Sequence, residues 1–549
     1  FALLAVDPLW VFAGIERDPW LYYGYFRHAP QLVASLPDLY YASRLSVILP
    51  GFLLHHALPP LAANLLLHAA LHATATLALY GSVRPLLGRR AALLSALALG
   101  CHPFFLLAAG RNYVDAFGLA YVLLAFYFLT RAALGGGRWT LLLAGACVTA
   151  LVTANLFYVV FLPFLALHFA ALDRRRGRFW RSLLRAAVGA AVLCAAFCVL
   201  SKLWGGHFLF PRASVRWLLG YSKEPTIFRS PIATWIGRAH WLVVPALVTL
   251  AAALLLLRAW QNGRGPWTIA KSGPPALLFQ LELALFALAM VFCQLGSHSP
   301  VLQYFFYASL LLPFVFLALA GQLVPLLERL APRRFALAAA AALLLLAAPL
   351  ALSLRPPVPD LVASAPVAVP LALGAAVVAV ALLGRGGLGA TLLLVLSLGA
   401  AQLAAIRLAN VDKVFETFSS DRRALFVTID RCATAFERVD PALDLRLWYD
   451  VTERNDYLYD PLAATLLLCP HLLTRDFPGT QKGTMCDGAR LGPGQTIAVF
   501  STRPAAEREA ATALRPLGLS VRKLGAQTVD GAGAAFTLTF LQTGSARAR

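Results

Sequence analysis

The sequence predicts a mainly α-helical fold, a polytopic transmembrane bundle of about 12–13 spans followed by a small extracytoplasmic α/β domain. The first support is composition: of 549 residues, 60% are hydrophobic and 13% are charged, and the mean hydropathy is +0.71. Soluble domains contain about 25% charged residues, and disordered chains combine low hydrophobicity with high charge. The composition therefore excludes a fully water-soluble protein and a disordered chain.

The second observation is where the charge lies. The formal net charge is +21, but residues 1–409 carry 30 basic and 10 acidic side chains, whereas residues 410–549 carry 17 and 16. A basic excess confined to the apolar part of the chain is typical of basic loops in a membrane protein. We therefore predict a transmembrane domain over 1–409, a soluble domain over 410–549, and membrane lipids rather than nucleic acid as surroundings.

The third observation is a series of apolar runs close to the length of about 20 residues that a spanning helix needs. The predicted spans are 61–83, 91–108, 116–131, 139–155, 156–172, 183–201, 240–257, 276–295, 303–321, 335–353, 367–383 and 389–408. Residues 1–6 fit the end of an earlier span.

The connections between these spans alternate in charge. One set holds 18 basic residues and, as acids, only Asp173, Glu282 and Glu328. The positive-inside rule places this set in the cytoplasm and the other set outside. We therefore predict a multi-pass protein of a bacterial inner membrane, with its C-terminal domain on the extracytoplasmic side.

The C-terminal domain has the patterns of mixed α/β structure. We predict helices and strands in this order: helix Asp412–Val439, strands Leu445–Asp450 and Thr496–Ser501, helix Ala505–Leu517, and strand Phe536–Leu541. No G-x-G-x-x-G or P-loop marks a nucleotide site. Three cysteines lie here, and we favour a Cys469–Cys486 disulfide as the closest pair, although spacing leaves pairs with Cys432 open.

Polar side chains gather on the outer side rather than within the spans. Glu282 is the only acid inside a predicted span and lies near its cytoplasmic end, which disfavours a proton- or sodium-coupled transporter. The first outer loop contains Asp18 among aromatic residues, and the short second outer loop, 109–115, ends at Asp115.

A second feature of the outer side is an excess of basic residues where such residues should be sparse. The segment 202–238 contains Lys202, His207, Arg212, Arg216, Lys223, Arg229 and Arg238. Cationic donors of this kind stabilise the charge that develops on a departing phosphate. We predict an anionic, phosphate-bearing substrate, with Arg44 and His298 as further candidates for binding it.

These outer loops resemble those of the GT-C superfamily of membrane glycosyltransferases, which includes protein O-mannosyltransferases and lipid A aminoarabinose transferases. The resemblance rests on Asp18 in the first outer loop, on Tyr113-Val114-Asp115 before a span that begins at Ala116, and on the soluble outer domain. In many relatives the first acid belongs to an Asp-Glu pair, whereas here Pro19 follows Asp18.

The resemblance implies transfer of a hexosyl or pentosyl group from a polyprenyl-phosphate donor to a lipid, glycan or protein acceptor. It implies Asp18 as general base and Asp115 as an assisting catalytic residue. The candidate substrate-binding residues are Tyr22, Arg44, Lys202, His207, Arg212, Arg216 and His298. A divalent cation between Asp18 and the phosphate stays an open alternative, and no other cofactor is implied.

Other interpretations stay open at this point. The chain is alternatively a transporter or flippase for a lipid-linked substrate, a transferase of the O-antigen-ligase type, or an assembly protein that acts through its outer domain. Asp18 is also suited to open a turn and Asp115 to be the N-cap of its span. Arg44 is also suited to snorkel toward the interface, and the basic side chains of 202–238 are suited to bind lipid headgroups. Tyr22 is suited to an aromatic belt at the membrane interface.

Overall fold

The structure is a computed structural model. It describes residues 17–137, 139–173, 179–221, 243–296, 308–327, 445–449, 493–501, 506–530 and 535–545, together with Val301 and several residues of 331–340. The description confirms a mostly helical chain with a small C-terminal sheet.

The segment predicted to be the first outer loop forms helices rather than an open loop. Helix α1 covers Arg17–Ser35 and is kinked at His28, where φ is −132° and ψ is 38°. Pro30 follows the kink, and a proline ring removes one helical hydrogen bond and crowds the preceding turn. A 3-10 turn at Tyr40–Ser43 leads into helix α2, Leu45–Ala57.

Twelve further helices form the rest of the bundle within the described residues. They are α3 Pro60–Leu87, α4 Arg89–Gly100, α5 Pro103–Ala109, α6 Val114–Ala133, α7 Trp139–Ala154, α8 Leu162–Leu172, α9 Phe179–Leu203, α10 Arg212–Tyr221, α11 Val243–Gln261, α12 Pro266–Ser272, α13 Pro275–Gly296 and α14 Ala308–Leu327. A second 3-10 turn, Leu156–Phe161, precedes α8.

Five helices among the described residues are long and apolar enough to cross a membrane: α3, α6, α9, α11 and α13. Each coincides with a predicted span, so the chain is a multi-pass membrane protein. The predicted span 91–108 is wrong as a single helix, because α4 ends at Gly100 and α5 starts at Pro103. Proline suits the first turn of a helix, where its missing N–H is not needed.

The helices of the core pack against one another in pairs. Helix α3 packs against α4 and α6, α6 against α7, and α7 against α9, while α14 packs against α4 and α13. The α7–α9 crossing is close because Gly145 and Gly189 each face the backbone of the other helix: an added Cβ would collide with the carbonyls of Ala186 and Leu142. Small residues commonly permit such approaches between membrane helices.

The aromatic residues of α1 lie in this core. Tyr22, Tyr23, Tyr25 and Phe26 are each 0% exposed. The aromatic-belt interpretation of these tyrosines is therefore wrong, because an interfacial ring would contact headgroups rather than protein.

The C-terminal sheet has four strands: β1 Leu445–Tyr449, β2 Thr496–Ser501, β3 Leu519–Asp530 and β4 Ala535–Ser545. Their spatial order is β1-β2-β4-β3, with β1 and β2 parallel and the other pairs antiparallel. Helix α15, Ala506–Leu514, packs on β2 and β3 through Leu514. The predicted strand Thr496–Ser501 is confirmed to the residue, whereas β3 is a strand that the sequence analysis did not predict.

Several predictions lie outside the described residues. These are the spans 367–383 and 389–408, most of 335–353, the helix Asp412–Val439, Cys432, Cys469, Cys486, Lys223, Arg229, Arg238 and His298.

Candidate functional site

Arg44 is the most unusual charged residue of the outer segment. It lies between the 3-10 turn and α2, and it is only 7% exposed. Its Nη1 donates a short hydrogen bond to Tyr22 Oη. The guanidinium carbon is 4.7 Å from the ring centroid of Tyr40 and 5.6 Å from that of Tyr41. We call Arg44 with Tyr22, Tyr40 and Tyr41 the Arg44 cage. A snorkelling role is wrong for this arginine, because snorkelling keeps the charge in water.

The charge of Arg44 is not balanced by a carboxylate within the described ranges. The ion pairs there involve other residues: His168 with Glu282, Asp38 with His207 and Arg216, and Lys523 with Glu507. Burial lowers the pKa of Arg44, but its interactions with Tyr22, Tyr40 and Tyr113 outweigh burial and raise that pKa well above its usual value. A buried cation without a counterion is costly, so the cage is suited to receive an anion.

Tyr22 connects the Arg44 cage to the second outer loop. Its ring centroid lies 5.9 Å from that of Tyr113, in an edge-to-face arrangement that aromatic pairs favour. Tyr113 is the residue before α6 and lies two positions before Asp115. The first and second outer segments therefore meet through these two tyrosines.

Asp115 lies in the first turn of α6 and is 3% exposed. The hydroxyl of Tyr158, from the 3-10 turn before α8, donates to Asp115 Oδ1 at 3.2 Å. The N-cap of α6 is Tyr113, and it makes no side-chain cap bond. The N-cap interpretation of Asp115 is therefore wrong: the helix starts two residues earlier than predicted, and the carboxylate points to a tyrosine hydroxyl instead.

Asp18 lies in the first turn of α1, which starts at Arg17. Its side chain is outside the described part of the chain, so its predicted role as base stays a prediction. The same applies to His298.

The predicted basic cluster is divided in the structure. His207 Nε2 lies 3.3 Å from Asp38 Oδ1, and Arg216 Nη1 donates to the same oxygen at 3.5 Å. Lys202 and Arg212 are exposed. Helix α10 packs against the 3-10 turn of the first segment, where Ser43 and Ser214 share a short hydrogen bond. The basic segment therefore adjoins the Arg44 cage, while two of its basic residues, His207 and Arg216, contact Asp38.

Residues that the sequence analysis passed over contribute to this region. Asp38 engages His207 and Arg216, and Tyr158 engages Asp115. Asn112, in the second outer loop, is 0% exposed and bonds to two residues of α3. The sequence feature that indicates the contact of Asn112 with α3 is the four-residue spacing of Asn64 and His68, which places both on one helix face.

Within the part of the chain that the structure describes, no group of three or more His, Cys, Asp or Glu side chains has the arrangement of a metal site. Asp115 accepts a hydrogen bond from Tyr158. A cation between Asp18 and a phosphate therefore stays a prediction.

Comparison with known proteins finds a family match over part of the chain. Residues 60–204 match the family of dolichyl-phosphate-mannose-protein mannosyltransferases. The matched segment runs from α3 through α9 and contains Asp115 and Tyr158. The match confirms the resemblance to GT-C membrane glycosyltransferases.

Among solved structures, the chain is similar to ArnT from Cupriavidus metallidurans bound to undecaprenyl phosphate, with 17% identity, a TM-score of 0.46, and coverage of 98% of this chain and 96% of that one. For the same protein in the apo state the identity is 16%, the TM-score 0.45, and the coverage 97% and 95%. No curated protein sequence matches the chain.

Proposed function

We propose that this chain transfers one sugar from a polyprenyl-phosphate carrier to a hydroxyl of a lipid, glycan or protein acceptor, on the extracytoplasmic side of a bacterial inner membrane. The family match over 60–204 supports the reaction class, because the name of that family specifies a sugar carried on a polyprenyl phosphate. The observation that supports the site is the buried Arg44 cage beside the start of α6.

In the proposed reaction, the acceptor oxygen attacks the anomeric carbon directly and the configuration inverts. The bond from acceptor oxygen to anomeric carbon forms while the bond from that carbon to the phosphate oxygen breaks. A carboxylate takes the hydroxyl proton, and Asp18 is the proposed base. The phosphate leaves with the electron pair of the broken bond, on the lipid carrier.

Arg44 is the proposed binder of that phosphate. A guanidinium presents several N–H donors in a plane and pairs well with phosphate oxygens. One of these donors is engaged by Tyr22, which orients the group. Because the cage excludes water, the interaction with the developing phosphate charge is stronger than it would be at a surface.

Asp115 is the proposed assisting residue, which positions the acceptor or a cation. Tyr158 holds one carboxylate oxygen, so the other oxygen keeps a defined direction. His207 and Arg216 are bound to Asp38 and, with Lys202 and Arg212, form a more distant positive surface toward which an anionic lipid is drawn.

The direct test is phosphate binding by Arg44 variants in nanodiscs. We expect Arg44→Gln to weaken binding of a short-chain polyprenyl phosphate by about 10- to 100-fold, the range for a hydrogen bond to a charged group. Arg44→Lys should lose less, since the charge remains. Arg258→Gln, which changes an exposed arginine at the end of α11, is the matched control.

Unchanged affinity in Arg44→Gln would contradict the assignment of the cage. Transfer itself is measured as release of polyprenyl phosphate from a panel of polyprenyl-phosphate hexoses and pentoses. If the wild-type chain binds these donors and moves them across the bilayer without releasing sugar, the flippase alternative is correct.

A further inference from the structure

Helix α3 carries a polar stripe on one face near its outer end. Asn64, His68 and His72 follow one another at intervals of four residues, which places them one above another on a helix. Asn64 and His68 are 0% exposed. Most buried polar groups are hydrogen-bonded, so we expect partners for the stripe.

The partners lie on the segment that leads into α6. Asn112 Nδ2 donates to Asn64 Oδ1 at 2.9 Å, and Asn112 Oδ1 accepts from His68 Nε2 at 2.8 Å. Because both ends of the Asn112 amide are engaged, its orientation is defined, and His68 must carry its proton on Nε2. One turn further along α3, His72 Nε2 donates to the carbonyl of Gly100 at 2.9 Å.

The loop held in this way connects the two proposed functional groups. Asn112 is followed by Tyr113, which packs against Tyr22 of the Arg44 cage, and then by Asp115 after one more residue. A further bond from Tyr113 N to Arg111 O, at 2.8 Å, makes the turn compact. A displacement of Asn112 is therefore transmitted both to the carboxylate and to the tyrosine that contacts the cage.

We infer that Asn112, held by Asn64 and His68, is a positioning residue that sets the location of Asp115 relative to the Arg44 cage. The inference rests on the proposed function for its consequence in catalysis. None of the three residues needs to touch substrate. Their role is to fix the start of α6, and a misplacement of about 1 Å at a reacting centre costs on the order of 100-fold in rate.

The test uses three histidine variants of the full chain in nanodiscs. His68→Leu removes the donor while keeping similar volume, and His68→Gln keeps an N–H donor in nearly the same position. His56→Leu is the matched control, because His56 is an exposed histidine on α2. We expect His68→Leu to lower kcat by about 10- to 100-fold with the donor KM retained, and His68→Gln to restore most of it.

A purely structural role of His68 would give a different kinetic pattern. It would lower kcat and raise KM together, and its effect would be the same with and without Asp115. We expect instead that His68→Leu adds little to the loss in Asp115→Asn, because both changes then act through one carboxylate. Equal fold-losses of His68→Leu in the two backgrounds would overturn the inference.

Amide hydrogen exchange provides a readout that does not depend on transfer. Exchange over residues 110–117 should be faster in His68→Leu than in wild type, His68→Gln and His56→Leu. Unchanged exchange in His68→Leu would overturn the positioning role even if Arg44→Gln behaves as proposed. Conversely, His68→Leu could show faster exchange while Arg44→Gln binds phosphate normally. That result would support the positioning role and contradict the proposed function of the cage.

Discussion

Two buried polar clusters lie in the bundle, and they differ in how their charges are balanced. In the Arg44 cage, a cation is surrounded by tyrosines without a carboxylate from the described ranges. In the second cluster, His168 Nδ1 contacts Glu282 Oε1 and His168 Nε2 contacts Thr130 Oγ1, each at 2.9 Å, and all three residues are 0% exposed. We call Thr130, His168 and Glu282 the His168 clamp.

The clamp joins three helices from different parts of the chain: α6, α8 and α13. The His168 ring packs against two phenylalanines, with ring centroids 4.8 Å from Phe126 and 6.0 Å from Phe279. Thr130 lies 15 residues after Asp115 on α6, or about 22 Å along a helix. One helix thus carries a candidate functional acid at its start and a structural contact near its end.

The difference shows that burial of a charge does not by itself identify a functional site. The contact between His168 and Glu282 joins two helices, and packing accounts for this pair although Glu282 Oε2 has no hydrogen-bond partner among the described residues. Among the described residues, the buried Arg44 guanidinium donates to Tyr22 and forms no ion pair, so an anionic ligand would compensate its charge. The following predictions test that distinction.

The largest effect is expected at Asp115. Asp115→Asn should lower transfer by about 100-fold or more, the cost of a misplaced reacting group, with the protein still folded and phosphate still bound. Asp173→Asn, at the end of α8, is the control. Near-normal transfer by folded Asp115→Asn would contradict the assisting role proposed for Asp115.

The next effect concerns stability at the clamp. His168→Leu leaves the Glu282 carboxylate buried without its histidine, and we expect a loss of about 3–5 kcal/mol in the free energy of unfolding. The double variant His168→Leu/Glu282→Leu should recover most of this loss because no charge remains buried. Thermal unfolding in detergent measures both, and transfer per folded molecule should stay at the wild-type value.

A reduced kcat in folded His168→Leu, without loss of stability, would show that the clamp is functional rather than structural. His56→Leu again controls for the removal of a histidine.

A smaller effect is expected at the contact of Tyr158 with Asp115. Tyr158→Phe removes the hydroxyl alone, and transfer should fall by about 10- to 100-fold, since hydrogen bonds to charged groups contribute about 1.5–3 kcal/mol. Gly118→Ala should have a similar effect without changing either residue, because the new Cβ would lie 2.8 Å from the Tyr158 hydroxyl and displace the ring. Initial rates at saturating donor measure both variants.

If Tyr158→Phe is normal while Gly118→Ala is impaired, the effect of the glycine belongs to helix packing and not to the carboxylate. The glycine is needed here for close approach rather than for its backbone conformation.

The smallest effect is expected at Asp38. Its contacts with His207 and Arg216 are made by a side chain that is 61% exposed, and exposed ion pairs contribute about 0–1 kcal/mol. Asp38→Asn should therefore leave stability and phosphate affinity nearly unchanged in about 0.15 M salt. A tenfold or greater change in affinity would place this surface in the binding site alongside the Arg44 cage.

Local properties of the chain were enough to predict the long apolar helices, but not the short helices α5, α10 and α12. The spans at α3, α6, α9 and α13 follow from the length of an apolar run, which neighbouring residues do not alter. Strand β2 was predicted to the residue because its apolar run is bounded by turn residues. Strand β3 was missed because it lies at the edge of the sheet, where residues such as Arg522 and Lys523 dilute the apolar alternation.

The sequence by itself therefore determined the membrane class, the long apolar helices and the set of candidate residues that includes Arg44 and Asp115. The tertiary structure alone decided which side chains meet: Arg44 with Tyr22 of α1, Asp115 with Tyr158, and His168 with Glu282. The physical reason is that a helix is specified by neighbouring residues, whereas the balance of a buried charge depends on side chains more than 20 or even 100 positions away.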